Sequence, residues 1–221
     1  MNPAPLSVSP SRKGAPLPRF LRWFSSQCVL RQIDTADAPR LWKALQQPAY
    51  ERCWTATPPG NEADVAEFIR GAQADWARGT RYVLAVHRKQ TQAFVGWVEA
   101  RAHEALTHRG AWSLDWFVDP GFLNSSLTLE ALVGSCDLLM NAVDARVVSV
   151  DCPAGHALFE TLLAAAGFTR AMPAGGAAAA AGSAQALFVL TQRDWRQARA
   201  SATGPLTLGG YTEPKLELSL L

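Results

Sequence analysis

Residues 112–131 read WSLDWFVDPGFLNSSLTLEA, and this stretch decides the fold. It begins with the apolar and aromatic pattern of a strand, continues into a short loop of small polar residues, and ends in the apolar spacing of a helix. A loop of this kind at a helix N-terminus offers a concave row of backbone N–H groups and the positive end of the helix dipole. The stretch therefore predicts an anion-binding turn between a strand and a long helix.

Strand and helix patterns alternate over most of the chain. Apolar runs predict strands at residues 28–33, 82–87, 94–101, 111–118, 147–150 and 186–191. Capping residues followed by apolar stripes predict helices that begin near residues 35–37, 61, 125–126 and 157. Short polar turns between the strands of residues 82–118 predict an antiparallel meander, and a strand, helix and strand over 111–150 predict a parallel pair at the sheet centre. The predicted fold class is α/β, with a mixed, mostly antiparallel sheet and helices on both faces.

The domain organisation follows from composition. The chain has 221 residues, of which 48% are hydrophobic, enough for the core of one domain. Residues 1–26 carry five prolines and only basic charges, a composition that predicts a mobile arm. The aromatic segment of this arm, residues 20–24, either docks on a membrane surface or a partner, or packs on the edge of the domain. Residues 27–198 form the predicted domain. Residues 199–221 form a predicted tail, where the alternation over 215–221 would suit an edge strand although disorder is favoured.

Charge and cysteine usage narrow the functional classes. The net charge of +2, from 21 Lys plus Arg and 19 Asp plus Glu, gives no strong field and does not indicate nucleic-acid binding. No segment has the roughly 20 apolar residues that a membrane span needs. The four cysteines are widely spaced and follow no leader-like apolar run, so we expect reduced thiols and a cytoplasmic protein. The sequence leaves open whether the last strand pairs across a homodimer.

Four short motifs, in order, resemble those of a known family. They are LRQI at residues 30–33, FVGWV at 94–98, LDWFVDP at 114–120 and GF at 167–168. Together they resemble the GNAT acetyltransferase superfamily, in particular its ribosomal-protein N-terminal acetyltransferase-like branch, over roughly residues 28–192. The resemblance implies a single GNAT domain that uses acetyl-CoA as cosubstrate and moves an acetyl or other acyl group to an amine of a protein or small molecule. The acceptor amine is not identified.

The resemblance also implies a cofactor site. It lies at the end of the strand, in the loop and in the first turn of the helix. Its implied residues are Phe117, Val118, Asn124, Ser125, Ser126, Leu127 and Thr128. Both glycines that the family carries in this loop are replaced here, which weakens the expected binding because glycine allows backbone to approach a pyrophosphate closely. A serine hydroxyl can instead cap the helix and contact a phosphate oxygen.

The implied catalytic residues depart from the family further. Where this branch often carries a glutamate the chain has Ser113, and Asp115 is the remaining candidate for the general base, or else a carboxylate that orders the strand. Phe159 stands where a tyrosine would protonate the thiolate. His156 would either contact the pantetheine arm or cap the following helix. Trp54, in the loop that would cover the acceptor site, either contacts substrate or packs beneath the loop.

These losses leave a second functional hypothesis open. The domain could be a catalytically silent GNAT-like module that binds a CoA ester or a protein partner. Cys152 and His156, four residues apart, would suit a metal or a nucleophile pair, but two ligands do not make a zinc site and no second pair has matching spacing. We therefore predict no metal.

Overall fold

The computed structural model describes residues 16–19, 21–46, 59–103, 110–119, 126–171, 185–201 and 216–218. The elements of these residues, in chain order, are β1 (Leu21–Phe24), β2 (Cys28–Gln32), a 3₁₀ turn (Thr35–Asp37), α1 (Ala38–Leu45), α2 (Glu62–Arg78), β3 (Arg81–Arg88), β4 (Phe94–Ala102), β5 (Ala111–Val118), α3 (Ser126–Asp137, continued by a π-helical turn over Leu138–Ala142), β6 (Val147–Pro153), α4 (Ala157–Ala165), β7 (Thr169–Arg170), β8 (Gln185–Thr191), α5 (Gln192–Ser201) and β9 (Leu216–Leu218).

The strands form one mixed sheet in the order β7-β8-β6-β5-β4-β3-β2-β1-β9. The pairing of β3 with β4 and of β4 with β5 is antiparallel, as the predicted meander requires. The pair β5–β6 is parallel and lies inside the sheet. Because parallel strands need a crossover connection, α3 joins the two strands. Antiparallel neighbours flank the pair on both sides. The predicted α/β class with a mixed, mostly antiparallel sheet is confirmed.

Helices lie on both faces of this sheet. The guanidinium of Arg81 in β3 stands 4.8 Å from the ring centroid of Phe68 in α2. Gly134 in α3 lies against the ring of Trp23, which pairs in register with Leu30. Leu30 pairs with Val86, which lies five residues after Arg81 in β3. Because side chains alternate between the two faces of a strand, Val86 and Arg81 point to opposite faces of the sheet. The α2 helix and the α3 helix thus cover opposite faces.

The start of α2 follows the predicted capping chemistry. The Asn61 side chain accepts a hydrogen bond of 3.0 Å from the Asp64 N–H, and the helix ends at Gly79, which adopts a left-handed φ of 72°. The predicted stripe packs inward, with four of its residues buried and Phe68 partly buried. The buried four are Val65, Ile69, Ala72 and Trp76. Here local sequence and tertiary packing agree.

Part of the predicted N-terminal arm belongs to the domain. Leu21–Phe24 forms β1, and the side chain of Trp23 is fully buried. Upstream, the Leu17 carbonyl accepts a 2.8 Å hydrogen bond from Trp76 Nε1, and the Leu17 N–H donates to the Tyr82 hydroxyl at 3.3 Å. The hypothesis that the aromatic segment packs on the domain is confirmed for residues 21–24, so the boundary at residue 26 lies too late.

The predicted C-terminal tail also contributes structure. The α5 helix runs to Ser201 and so crosses the predicted boundary at residue 198. Leu216–Leu218 forms β9, which pairs antiparallel with β1. Disorder, the favoured expectation for these three residues, is therefore wrong, and the edge-strand alternative is confirmed. The backbone edge of β1 explains it, because an unpaired strand edge is a template for an added strand.

The α3 helix is buried on nearly all sides, whereas the sequence pattern predicted one apolar face. Every residue from Leu127 to Cys136 is buried, including the polar Thr128, Glu130 and Ser135. At the end of the helix, Asp137 lies 3.5 Å from Arg199 of α5. Within the described residues, no helix combines the length and the apolar character needed to cross a membrane.

Candidate cofactor and acceptor site

The two parallel strands at the sheet centre separate part of the way along. Three register pairs join β5 to β6, and the last is Ser113 with Ser149. Ser149 Oγ donates a 3.3 Å hydrogen bond to the Trp112 carbonyl at this point. Beyond it β5 continues to pair with β4 as far as Val118, and β6 continues to pair with β8 as far as Pro153. A gap therefore opens between the facing edges of β5 and β6.

The hydrogen-bond phase of β5 decides which backbone groups face this gap. His103 N–H donates to the Ala111 carbonyl, and Asp119 N–H donates to the Val95 carbonyl. Since neighbouring residues of an antiparallel strand bond to alternate sides, the odd-numbered residues of β5 exchange bonds with β4. The backbone groups of Trp116 and Val118 then point to the gap, whereas those of Phe117 are used by β4. The sequence predicted Phe117 and Val118 as cofactor contacts, and the hydrogen-bond phase adds Trp116 as a candidate that no local sequence pattern indicates.

The predicted phosphate-binding turn is described only from the helix onward. Asn124 and Ser125 lie outside the described residues, and α3 begins at Ser126. The side chains of Leu127 and Thr128 are buried, so these two residues can offer a ligand only their backbone N–H groups. Such groups in a first turn have no intrahelical acceptor. Ser126 is half-buried, and its Oγ accepts a hydrogen bond from Gln27 Nε2.

The candidate base lies beside a cluster of charged side chains on β3 and β4. Asp115 pairs in register with Glu99 of β4, so both side chains lie on the face that α2 covers. Glu99 is fully buried, and its Oε1 accepts from Arg81 Nε at 2.6 Å and from Arg101 Nε. The hydrogen bond to Glu99 raises the pKa of Arg101, and the charge of Asp115 adds to this effect. Asp115 is half-buried, so it is the more accessible of the two carboxylates.

His156 caps the helix that follows β6. Its Nδ1 accepts from the Phe159 N–H at 3.5 Å, and its ring stacks on Phe159 with centroids 4.2 Å apart. Phe159 also meets Trp116 edge-on at 5.7 Å. The capping alternative for His156 is therefore observed, and this aromatic row places α4 against the β5 side of the gap. Trp54 lies outside the described residues.

The described thiols do not form a nucleophilic site. Burial raises the pKa of Cys28 to about 12 and that of Cys152 to about 11, so both are protonated at neutral pH. Among the residues that the structure describes, no three His, Cys, Asp or Glu side chains are grouped in a way that could hold a metal ion.

Comparisons with known proteins agree with this geometry. The family model for the acetyltransferase (GNAT) domain matches residues 27–169. Ribosomal-protein-S5-alanine acetyltransferase from Vibrio fischeri superposes with a TM-score of 0.64 at 14% identity, covering 76% of this chain and 94% of that chain. RimJ from Mycobacterium smegmatis, in complex with CoA-disulfide, gives a TM-score of 0.61 at 16% identity, covering 79% and 88%.

A third solved structure is a chimera of the spermidine N-acetyltransferase SpeG from Vibrio cholerae with hSSAT. Its TM-score is 0.63 at 13% identity, and the match covers 77% of this chain and 99% of that chain. No curated protein matches the sequence. At these identities the solved structures establish the fold, and the family model, which spans more than half of the chain, establishes the family. The family predicted from the motifs is thus confirmed: the chain belongs to the GNAT acetyltransferases.

Proposed function

We propose that this protein transfers an acetyl or other acyl group from CoA to an amine of a protein or small molecule, in the gap between β5 and β6. The observation that carries the proposal is the separation of these strands beyond Ser113 and Ser149. Among the described residues, it leaves a row of backbone donors and acceptors on β5 without a strand partner, in the strand that precedes α3 along the chain. An amide-containing ligand is the kind of molecule that such an edge binds.

The residues present fit acetyl-CoA. The backbone groups of Trp116 and Val118 would hydrogen-bond the pantetheine arm, and the first-turn N–H groups of α3, from Ser126 to Thr128, would hold the pyrophosphate. Asn124, Ser125 and His156 stay predicted contacts. Acetyl-CoA supplies an acyl group already activated as a thioester. The protein therefore has to orient that group, deprotonate the amine and exclude water.

Asp115 is our candidate for the general base. It lies two residues beyond the point where β5 and β6 part, on the face that α2 covers, while the side chain of Trp116 points to the other face. An amine approaching from the α2 face would reach Asp115 without crossing the cofactor edge. Glu99 cannot take this role as readily because it is fully buried between two guanidinium groups.

We infer an amine acceptor from the family. The structural relatives include enzymes described as acting on a ribosomal-protein alanine and on spermidine, so both a protein N-terminus and a polyamine are test acceptors.

A cytoplasmic location accords with the described cysteines, Cys28, Cys136 and Cys152, which are free thiols.

The test is turnover by the full chain with acetyl-CoA and two acceptors, a peptide with a free N-terminal alanine and spermidine, followed by thiol release. Asp115→Asn should lower kcat by about 100-fold to 10,000-fold, because general-base assistance is commonly worth that factor. Glu67→Gln, an exposed carboxylate of α2, is the matched control and should turn over normally. Parent-rate turnover by Asp115→Asn would remove Asp115 from the chemistry. If the unaltered protein binds acetyl-CoA yet acetylates neither acceptor, the silent-module hypothesis replaces the proposal for these amine classes.

A further inference from the structure

The turn between β1 and β2 is bound to the second turn of α3 by one buried carboxylate. Glu130, which is 6% exposed, accepts hydrogen bonds from both hydroxyls of the turn, with Ser26 Oγ at 2.6 Å and Ser25 Oγ closer. It also accepts from the Gln27 backbone N–H at 3.0 Å and from Gln27 Nε2 at 3.2 Å. Four donors thus satisfy this carboxylate, and the turn and the helix form one unit.

The turn is itself held in place from β3. The Lys89 N–H donates to the Gln27 carbonyl at 2.7 Å, and Lys89 Nζ donates to the Ser25 carbonyl at 3.1 Å. The position of the Gln27 side chain is therefore determined from both of its ends, by the backbone and by Glu130. A side chain restrained in this way loses little further entropy when it orders a neighbour.

Gln27 also reaches the first residue of α3. Its Nε2 donates to Ser126 Oγ as well as to Glu130. A serine hydroxyl has one proton and two acceptor positions. Because one acceptor position of Ser126 is taken by the amide, the hydroxyl proton must point away from Gln27. It is left to donate to another group at the helix start.

We propose that Gln27 is a positioning residue for CoA binding, which fixes the Ser126 hydroxyl so that its proton donates to a pyrophosphate oxygen. The inference rests on the proposed function and names a residue that lies about one hundred positions from the loop in sequence. It gives the chain a side-chain donor where the family's loop has glycine. Gln27 itself need not touch the ligand, since it acts through Ser126.

A double-mutant cycle on the full chain tests this coupling, with the dissociation constant for CoA measured by calorimetry. Gln27→Met, which keeps the side-chain volume but has no donor, should weaken CoA binding by about 3-fold to 10-fold, the range for one hydrogen bond. In a Ser126→Ala background the same change should have no effect, because the hydroxyl that it orients is gone. Affinity for pantetheine, which lacks the pyrophosphate, should not change in either variant.

Ser26→Ala is the matched control, because it removes a hydrogen bond to the same Glu130 oxygen without touching Ser126. It should lower the melting temperature to a similar extent and leave CoA affinity unchanged. Equal losses of CoA affinity from Gln27→Met in both backgrounds, or a loss from Ser26→Ala as large as that from Gln27→Met, would overturn the inference. Neither result would contradict the proposed function, which is tested separately by acetyl-CoA binding and amine acetylation with the unaltered protein.

Discussion

Asp115 lies directly opposite Glu99 across the β4–β5 ladder, and the two carboxylates have different surroundings. Glu99 is fully buried and bound by Arg81 and Arg101, whereas Asp115 is half-buried. Removing a buried carboxylate that binds two guanidinium groups is costly, whereas a more accessible carboxylate can contact a ligand. We therefore expect Glu99 to contribute to stability, whereas Asp115 is the proposed general base.

Replacing Glu99 should cost stability. In Glu99→Gln the two guanidinium groups lose their shared anion, and we expect a loss of about 2 to 3 kcal/mol in the free energy of unfolding. Asp115→Asn should change this free energy much less, since Asp115 is closer to solvent. Urea denaturation of both variants measures the difference. A larger loss of stability for Asp115→Asn than for Glu99→Gln would contradict these roles.

Gly96 is required by the close approach of β5. A Cβ at this position would lie 2.0 Å from the Phe117 carbonyl oxygen, which is backbone and cannot move aside. Gly96→Ala should therefore lose about 2 to 4 kcal/mol of stability, at the upper end of overpacking costs. Gly71→Ala in α2, where a Cβ would meet nothing within 4 Å, should instead gain about 0.5 to 1 kcal/mol from helix propensity. Equal effects of the two substitutions would contradict this account of the strand pair.

Gly134 tests whether β1 is an integral part of the domain. A Cβ there would lie 2.6 Å from the Trp23 ring, so Gly134→Ala should push Trp23 and β1 away from α3. We expect faster proteolytic cleavage between residues 16 and 28 and a lower melting temperature. Cleavage as slow as in the parent protein would mean that the contact is not needed to hold β1.

Asp37 gives the stability a defined pH dependence. Burial alone would raise the pKa of Asp37, but the contact with the His87 ring, the paired hydrogen bonds from Arg31 at 2.7 and 2.8 Å, and the Asp34 N–H outweigh it and lower the pKa to about 2. At 3.6 Å the His87 contact is too long for a hydrogen bond, so Arg31 and the backbone are the better-placed partners. A folded-state pKa below the unfolded value stabilises the protein at high pH, by about 2 kcal/mol here.

That stabilisation should disappear as the pH falls from about 4 to about 2. Asp37→Asn should therefore be about 2 kcal/mol less stable than the parent near neutral pH, and the gap should close over this acid range. Urea denaturation of both proteins along the pH series measures the gap. A gap that stays constant down to the lowest pH would refute the assignment.

The sequence predicted those parts of the fold that local chemistry determines. Asn61 caps α2 because an amide oxygen suits a helix start, and β5 alternates because one of its faces is more deeply buried than the other. The edge strands were missed or disfavoured because their order depends on distant residues: Trp23 packs on Gly134, and β9 depends on the edge of β1. The amino-acid composition near the termini does not predict either contact.

The candidate site, like the fold, could be predicted from the sequence only in part. The motif around Asp115 located the strand and the start of α3, since both are encoded within twenty consecutive residues. The choice of Trp116 over Phe117 at the free edge depends on the hydrogen-bond phase with β4, which no local pattern records. The network of Gln27, Ser126 and Glu130 joins residues about one hundred positions apart, and each of them alone has the composition of an ordinary polar turn or helix.

The central claim is that acetyl-CoA binds between β5 and β6 with its pyrophosphate on the first turn of α3, and a melting experiment on the full chain tests it most directly. A ligand that binds only the folded state stabilises it, and each kcal/mol raises Tm by about 2 to 4 °C in a protein of this size. Acetyl-CoA at about millimolar concentration should therefore raise Tm by a few degrees. In Ser126→Asp the added carboxylate would repel the phosphates and abolish the shift, while Gln197→Asp on the exposed side of α5 should keep it. If neither acetyl-CoA nor longer acyl-CoAs shift the parent protein, or if Ser126→Asp shifts as much as the parent, the claim is contradicted.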